Sequence, residues 1–512
     1  MTNPPITRHF ASIGGLRQVH YRRAGSGPPV LLLHQSPASS AELLPLIQEL
    51  SATHTVIAPD TPGNGLSDPL PLPHPGMDDF ANNIVDFMDE IGLPRAAVYG
   101  FHSGAACAMA LAHRHAGRID VAIANGYTQM QPDELADILQ NYLPPLTLEW
   151  NGAHLLWAWS RIRDQFIYFP WYARRPAARL HSGMPGTRAL HDAVMDLLRA
   201  GNGYVQAYRA AFEYDRAAVV GLLRAPTVIM TARTDALYRY LDAMPLPSAQ
   251  VSVQRPADHV ESRRLLRDTL AVHAGSRTET PAAPTRPING TLWREYLQTP
   301  HGSLFALRSH TGGGRPLLFC HGPTGSALGM REEMLPWLGQ RPLLAVDLPG
   351  NGESDVLAGG DTSMTQRATW LAAAIACTGY REIDVVAPDG GGAIAAELTR
   401  LQPHLVHQLL LTPQQPRIFG CRIELDDYGL HLLRVWNMVR DQLLYSPWHT
   451  RKRANVLNPV AAALDPAHIH ARVLDVLKCL NTLPQIEAAY AQFPLAATLS
   501  ALGTKVVALA AK

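Results

Sequence analysis

The sequence lacks any apolar run approaching the ~20 residues that a helix needs to cross a bilayer. Its start, positions 1–10, carries no apolar core of a secretory signal. No membrane partner is therefore expected. Cysteine is scarce as well. The five present, Cys107, Cys320, Cys377, Cys421 and Cys479, are scattered, odd in number and without metal-ligand spacing. That argues against a disulfide framework and for a reducing, cytoplasmic setting. An excess of either charge is also missing. The 44 Lys and Arg face 43 Asp and Glu, for a net +1, so nothing electrostatic points to nucleic acid. What is there is ordinary for a globular protein, 47% hydrophobic and 17% charged. The 512 residues exceed one domain and suit two of about 250 residues, each large enough for a full core.

An internal repeat decides the organisation. His34-Gln35-Ser36-Pro37 recurs as His321-Gly322-Pro323-Thr324, a shift of 287 positions from 34 to 321. The same shift relates Asp60-Thr61-Pro62-Gly63-Asn64-Gly65 to Asp347-Leu348-Pro349-Gly350-Asn351-Gly352. It also relates Gly100-Phe101-His102-Ser103-Gly104 to Ala387-Pro388-Asp389-Gly390-Gly391. Farther on, Trp159-Ser160-Arg161-Ile162-Arg163-Asp164-Gln165 returns as Trp436-Asn437-Met438-Val439-Arg440-Asp441-Gln442, shifted by 277 from 159 to 436. Four ordered matches with one break mean duplication plus an indel. A Pro/Thr/Ala-rich stretch, 275–288, reads as the linker between domains 1–274 and 289–512. Strand-length apolar runs (55–58, 96–99, 227–230) alternate with helical stretches (80–91, 105–114), as in a mostly parallel sheet covered on both faces. The helical, Trp-rich segments of about 130–220 and 417–490 read as caps over each sheet.

The His-containing loop after a strand, the Asp-x-Pro-Gly-x-Gly turn and the strand–turn–helix pattern, in this order, resemble the α/β-hydrolase fold family. The resemblance implies an α/β fold class with two tandem copies and no metal or organic cofactor. In that family a nucleophile, usually serine, sits on a strained turn flanked by small residues. With Ser103 at the apex the flanks are Phe101 and Ala105; with His102 they are Gly100 and Gly104. The spacing favours His102, and a shifted elbow with Ser103 as nucleophile stays open. The matching residue of the second copy is Asp389, with Ala387 and Gly391 beside it. Asp235, after strand 227–231, and His259, after strand 250–255, stand where the family carries its acid and its histidine. The acid would orient the imidazole and the imidazole would move protons. Oxyanion donors would be the N–H groups of Gln35 and Ser103, beside His34, and Gly322 and Gly390 in the second copy.

The second copy stops after a strand at 505–511, so the expectation is a domain without its last strand and helix, inactive or structural, with an open edge that favours homo-oligomers. Arg163 beside Trp159 either locks the cap through Asp164 or reads a substrate carboxylate. His113, His115, His404, His407, His468 and His470 are expected at the surface. Three readings of function follow. One is a hydrolase of a small organic substrate, an ester or C–C bond, working from His102 or Ser103, Asp235 and His259. The second is a cofactor-independent lyase or isomerase using two histidines. The third is a non-enzymatic ligand-binding or scaffolding protein.

Overall fold

A computed structural model of the chain describes residues 4–180, 183–245, 247–273, 285–357, 361–388, 390–412 and 419–508. Internal contacts divide it into two compact units, Met1–Thr147 with Trp157–Arg286, and Leu148–Leu156 with Pro287–Lys512. Most of the expected linker lies outside the described residues. None of the described helices is long and apolar enough to cross a membrane.

Unit 1 holds eight strands: β1 (Thr7–Ile13), β2 (Arg17–Ala24), β3 (Pro29–Leu33), β4 (Thr55–Pro59), β5 (Ala96–Phe101), β6 (Ile119–Asn125), β7 (Thr227–Met230) and β8 (Val251–Gln254). Their order is β1-β2-β4-β3-β5-β6-β7-β8. The pairs β1·β2 and β2·β4 are antiparallel and the rest parallel. Every residue of β3 and β4 is buried, as a sheet covered on both faces requires. Phe80, Ile84 and Phe87 of helix Met77–Glu90 pack one face with the helix Ser103–Arg114. Leu266 and Leu270 of helix His259–Val272 pack the other. Helices Pro132–Asn141, Ala153–Gln165, Thr187–Ala200 and Gly203–Glu213 fall between β6 and β7, where the cap was expected.

Unit 2 repeats the order with β9 (Trp293–Thr299), β10 (Gly302–Ser309), β11 (Leu317–Phe319), β12 (Leu343–Val346), β13 (Ile383–Ala387), β14 (Val406–Leu411) and β15 (Val506–Ala508). The sheet runs β15-β14-β13-β11-β12-β10-β9, and no counterpart of β8 occurs among the described residues. His470, expected at the surface, is 8% exposed. It faces inward from helix Pro466–Lys478 beside Ile469 and Val473.

The repeated motifs are fold devices. Asp60 accepts the Ser40 and Leu66 N–H groups at 2.7 and 2.9 Å. A Cβ on Gly65 (φ 54°) would stand 2.0 Å from its Oδ2. Asp347 accepts the Ala327 and Glu353 N–H groups in the same way, and a Cβ on Gly352 would meet it at 2.0 Å. His34 is 1% exposed. Its Nε2 accepts the Thr61 N–H at 2.9 Å and its Nδ1 donates to the Gln35 carbonyl at 2.8 Å. His321 does the same between Leu348 and Gly322. Burial lowers both imidazoles, His321 to about 4, so each is a neutral latch.

Candidate active site

The parallel strands of unit 1 end at one edge, where loops from β3, β5, β7 and β8 converge. After β5 the chain turns at His102 into the elbow helix Ser103–Arg114. His102 has φ 49° and ψ −105°, and is the only non-glycine residue with positive φ among those described. That backbone is costly for a side-chain-bearing residue and recurs where strain positions chemistry. The flanking glycines make the turn. A Cβ on Gly100 would lie 2.1 Å from the Gly104 oxygen, and one on Gly104 would lie 2.3 Å from the Leu33 oxygen. In unit 2 a Cβ on Gly391 would meet the Cys320 oxygen at 2.0 Å. Gly390 there is buried, with φ 91°. Asp389 lies outside the described residues.

The His102 ring stacks on Phe101, centroids 3.9 Å apart. Its Nε2 is 2.9 Å from Asp235 Oδ2 and its Nδ1 is 2.9 Å from Gln35 Oε1. The Gln35 amide nitrogen donates to Glu42. The Asp235 side chain is 3% exposed. Burial pushes its carboxyl up, but the His102 ring, the Leu237 N–H at 2.8 Å and His259 outweigh this and hold it below its usual value. Asp235 is thus ionised at neutral pH and accepts the Nε2–H. Nδ1 faces Gln35 Oε1, which only accepts, so the Nδ1–H donates to it. Glu42, at the far end of this chain of groups, is exposed to solvent.

Asp235, expected to orient His259, pairs instead with His102. His259 starts the helix His259–Val272, is exposed, and stands edge-on to Phe101 at 6.5 Å. Asp258 accepts the Glu261 N–H as the cap of that helix. The Ser103 hydroxyl faces the β3 loop. It accepts the Ser36 N–H at 2.7 Å and donates to the Ser36 hydroxyl at 3.2 Å. Trp159 is 1% exposed. Arg163 donates to Asp164 Oδ1 at 2.9 Å while Arg174 donates to Oδ2 at 2.9 Å. Arg440 and Arg451 flank Asp441 in the same way. In both units these arginines are held on an aspartate of the same inserted helical segment.

A cavity of about 350 Å³ opens over His102. Gln35, Ser103, Asp235 and His259 line it together with an aromatic wall that includes Phe166, Phe169 and Phe212. Sequence reasoning missed two residues here. Gly126, after β6, makes room for the imidazole, since a Cβ there would sit 2.2 Å from His102 Cδ2. Arg216, buried, stands on the cavity wall. Gly126 had no motif around it. Arg216 carried a faint signal, an arginine inside an apolar helical stretch.

A family model described as the alpha/beta hydrolase fold matches residues 28–262 and again 315–497. Among curated proteins, a soluble epoxide hydrolase of Corynebacterium sp. (strain C12) is 37% identical over 110 residues, 21% of this chain and 37% of that protein. A haloalkane dehalogenase 2 of Mycobacterium bovis is 34% identical over 116 residues, 23% of this chain and 40% of its own. The chain thus spans about two-fifths of the length of these relatives. Among solved structures, an epoxide hydrolase of Vigna radiata overlays 52% of this chain and 96% of its own at 18% identity, with a TM-score of 0.39. With its two matched segments, the chain belongs to the alpha/beta hydrolase fold family, in tandem.

Proposed function

We propose that unit 1 is a hydrolase of a small organic substrate, an ester or an activated C–C bond, with His102 as its base. One observation carries this reading. An imidazole at the elbow apex is held through Nε2 by an ionised, buried Asp235. In the reaction, Gln35 swings off Nδ1, which gives up to solvent the proton it shared with Gln35 Oε1 and then takes one from the attacking water as the water oxygen bonds to the substrate carbonyl carbon. The N–H groups of Ser103, at the start of the elbow helix, and of Gln35 receive the oxyanion. As the bond to the leaving group breaks, Nδ1 returns the proton to that group, giving an acid and an alcohol or a C–H product. The names of the curated relatives, an epoxide hydrolase and a haloalkane dehalogenase, fit a hydrolytic reading.

Unit 2 is read as non-catalytic. Two contacts align the units beyond these Arg–Asp pairs. Ser39 bonds Asp196 as Ser326 bonds Asp475, and Gly63 meets Gly203 as Gly350 meets Thr482. On that alignment Ala211, on the cavity wall of unit 1, corresponds to Tyr490. Tyr490 is a buried side chain whose hydroxyl lies 3.5 Å from the His321 oxygen. A tyrosine in the place of that alanine supports the non-catalytic reading.

The test is turnover of aryl esters and 1,3-diketones by the full chain in ¹⁸O-water. His102→Ala should abolish turnover, and Asp235→Asn should lower kcat by roughly 10²–10⁴-fold. Ser103→Ala should stay within about tenfold of the parent, and Asp389→Ala should change nothing. The engagement of Ser103 by Ser36 favours one second reading, proton abstraction without hydrolysis. A hydrolase places one solvent oxygen in its product and a lyase or isomerase places none.

A further inference from the structure

Arg161, on the cap helix Ala153–Gln165, is 1% exposed, and no carboxylate lies within salt-bridge distance of it among the described residues. Its guanidinium carbon sits 5.6, 5.6, 5.3 and 5.9 Å from the ring centroids of Tyr142, Trp171, Tyr204 and Tyr208. Nη1 donates to Gln165 Oε1 at 2.8 Å, and the remaining guanidinium nitrogens face the neutral hydroxyls of Tyr204 and Tyr208. Gln165, Tyr142 and Tyr208 line the cavity over His102, so Arg161 stands directly behind its wall. Arg216 is on the wall itself. It donates to the Thr128 and Ala211 carbonyls at 2.8 Å each, lies 5.4 Å from the Tyr127 ring, and leaves Nε without a partner. No carboxylate pairs with Arg216 among the described residues. Among the described residues, the one carboxylate lining the cavity, Asp235, is committed to His102.

A buried cation facing aromatic rings and neutral amides is costly unless a counter-charge arrives. The second copy separates what the fold needs from what this cavity needs. Arg163 and Asp164 persist as Arg440 and Asp441. Arg161 is replaced by Met438, and Arg216 by Leu495 on the alignment given above. The fold is built without either cation.

We propose that the cavity of unit 1 selects an organic anion, a ring-bearing carboxylate, whose charge is held by Arg216 and reinforced by Arg161 from behind Gln165, Tyr142 and Tyr208. The ring stacks against the Phe166, Phe169 and Phe212 wall, and the reacting carbonyl lies toward His102. This deepens the hydrolase reading and rests on it for the identity of the reaction, but its test needs no turnover.

The experiment is calorimetric titration of the full chain with phenylacetate and with its neutral isostere phenylacetamide. The wild type, Arg161→Met and Arg216→Leu are compared, with exposed Arg188→Met as control. The wild type and the control should bind phenylacetate at least about tenfold more tightly than the amide. Arg161→Met and Arg216→Leu should each weaken phenylacetate at least roughly fivefold and leave the amide within about twofold. Equal affinity for the two ligands in the wild type overturns the proposal, even if a variant fails to fold. So does absence of phenylacetate binding, or parallel loss of both ligands in Arg161→Met. If phenylacetate wins but no substrate turns over through His102, the hydrolase reading falls and the anion site stands. If neutral esters turn over through His102 with no preference for carboxylates, the hydrolase reading stands and the anion site falls.

Discussion

His102 carries its imidazole on a backbone angle that only the surrounding glycines permit. Gly100 and Gly104 allow strand and helix to close on it, and Gly126 leaves room for the ring. Gly126→Ala, at φ 79°, would both strain the backbone and push the imidazole off Asp235. We expect a stability loss of about 1 kcal/mol or more by chemical denaturation, together with a fall in kcat larger than any rise in KM. An alanine variant with unchanged kcat would mean that the ring position does not matter. Arg161→Met should behave in the opposite sense. Removing a buried cation that lacks a carboxylate should leave the unit 1 melting transition unchanged or raise it, by up to a few kcal/mol, while anion binding weakens. A lower transition would make Arg161 a structural residue. At this scale the sequence was legible where sterics are local. Small flanks put His102 at the apex without any tertiary information. Which imidazole Asp235 meets was not legible, because that depends on how the loops after β5, β7 and β8 cross in space.

The repeated turns show the same element under two electrostatic regimes. In unit 1 the buried Asp60 pairs with His20 at 2.8 Å. Burial pushes its carboxyl up, but the His20 imidazole bonded to it outweighs this and holds it far below its usual value. In unit 2 the residue facing the aspartate backbone is Phe305, where unit 1 has His20. Burial then raises Asp347 to about 7. A carboxyl raised on folding contributes stability that is complete below its unfolded value near 4 and is lost as pH climbs through about 7. Asp60, lowered on folding, contributes stability that is present above that value and lost as pH falls. Buried Asp196 and Asp475, both raised, act alike in the two units. The melting transition of unit 2 should therefore drop more steeply than that of unit 1 between about pH 4 and 7. Phe305→His should flatten it by supplying the missing imidazole. Equal slopes in the wild type would count against this assignment. The motif pattern announced the turns from their glycines and aspartates, but not this difference, since the partner lies on another strand.

For the molecule as a whole, duplication supplies its own control. What both units keep (the His34 and His321 latches, the aspartate turns, the Ser–Asp contacts and the Arg–Asp pairs) belongs to the fold. Where the described residues of the two units differ, the difference falls on the cavity of unit 1: Gln35 in place of Gly322, Ala211 in place of Tyr490, Arg161 in place of Met438 and Arg216 in place of Leu495, around the His102–Asp235 pair. The repeat and the fold class were readable from motif spacing, because each motif closes a local turn. The cavity was not, because its walls come from helices distant in sequence, and its buried arginines resemble ordinary surface residues until the cap closes over them. The most direct measurement is intact-protein mass after exposure of the full chain to a fluorophosphonate and to excess aryl ester, with turnover of Ser103→Ala and His102→Ala followed alongside. We expect no adduct on Ser103, retained turnover in Ser103→Ala and none in His102→Ala. A stable adduct mapped to Ser103, lost in Ser103→Ala together with activity, would contradict a histidine-based site.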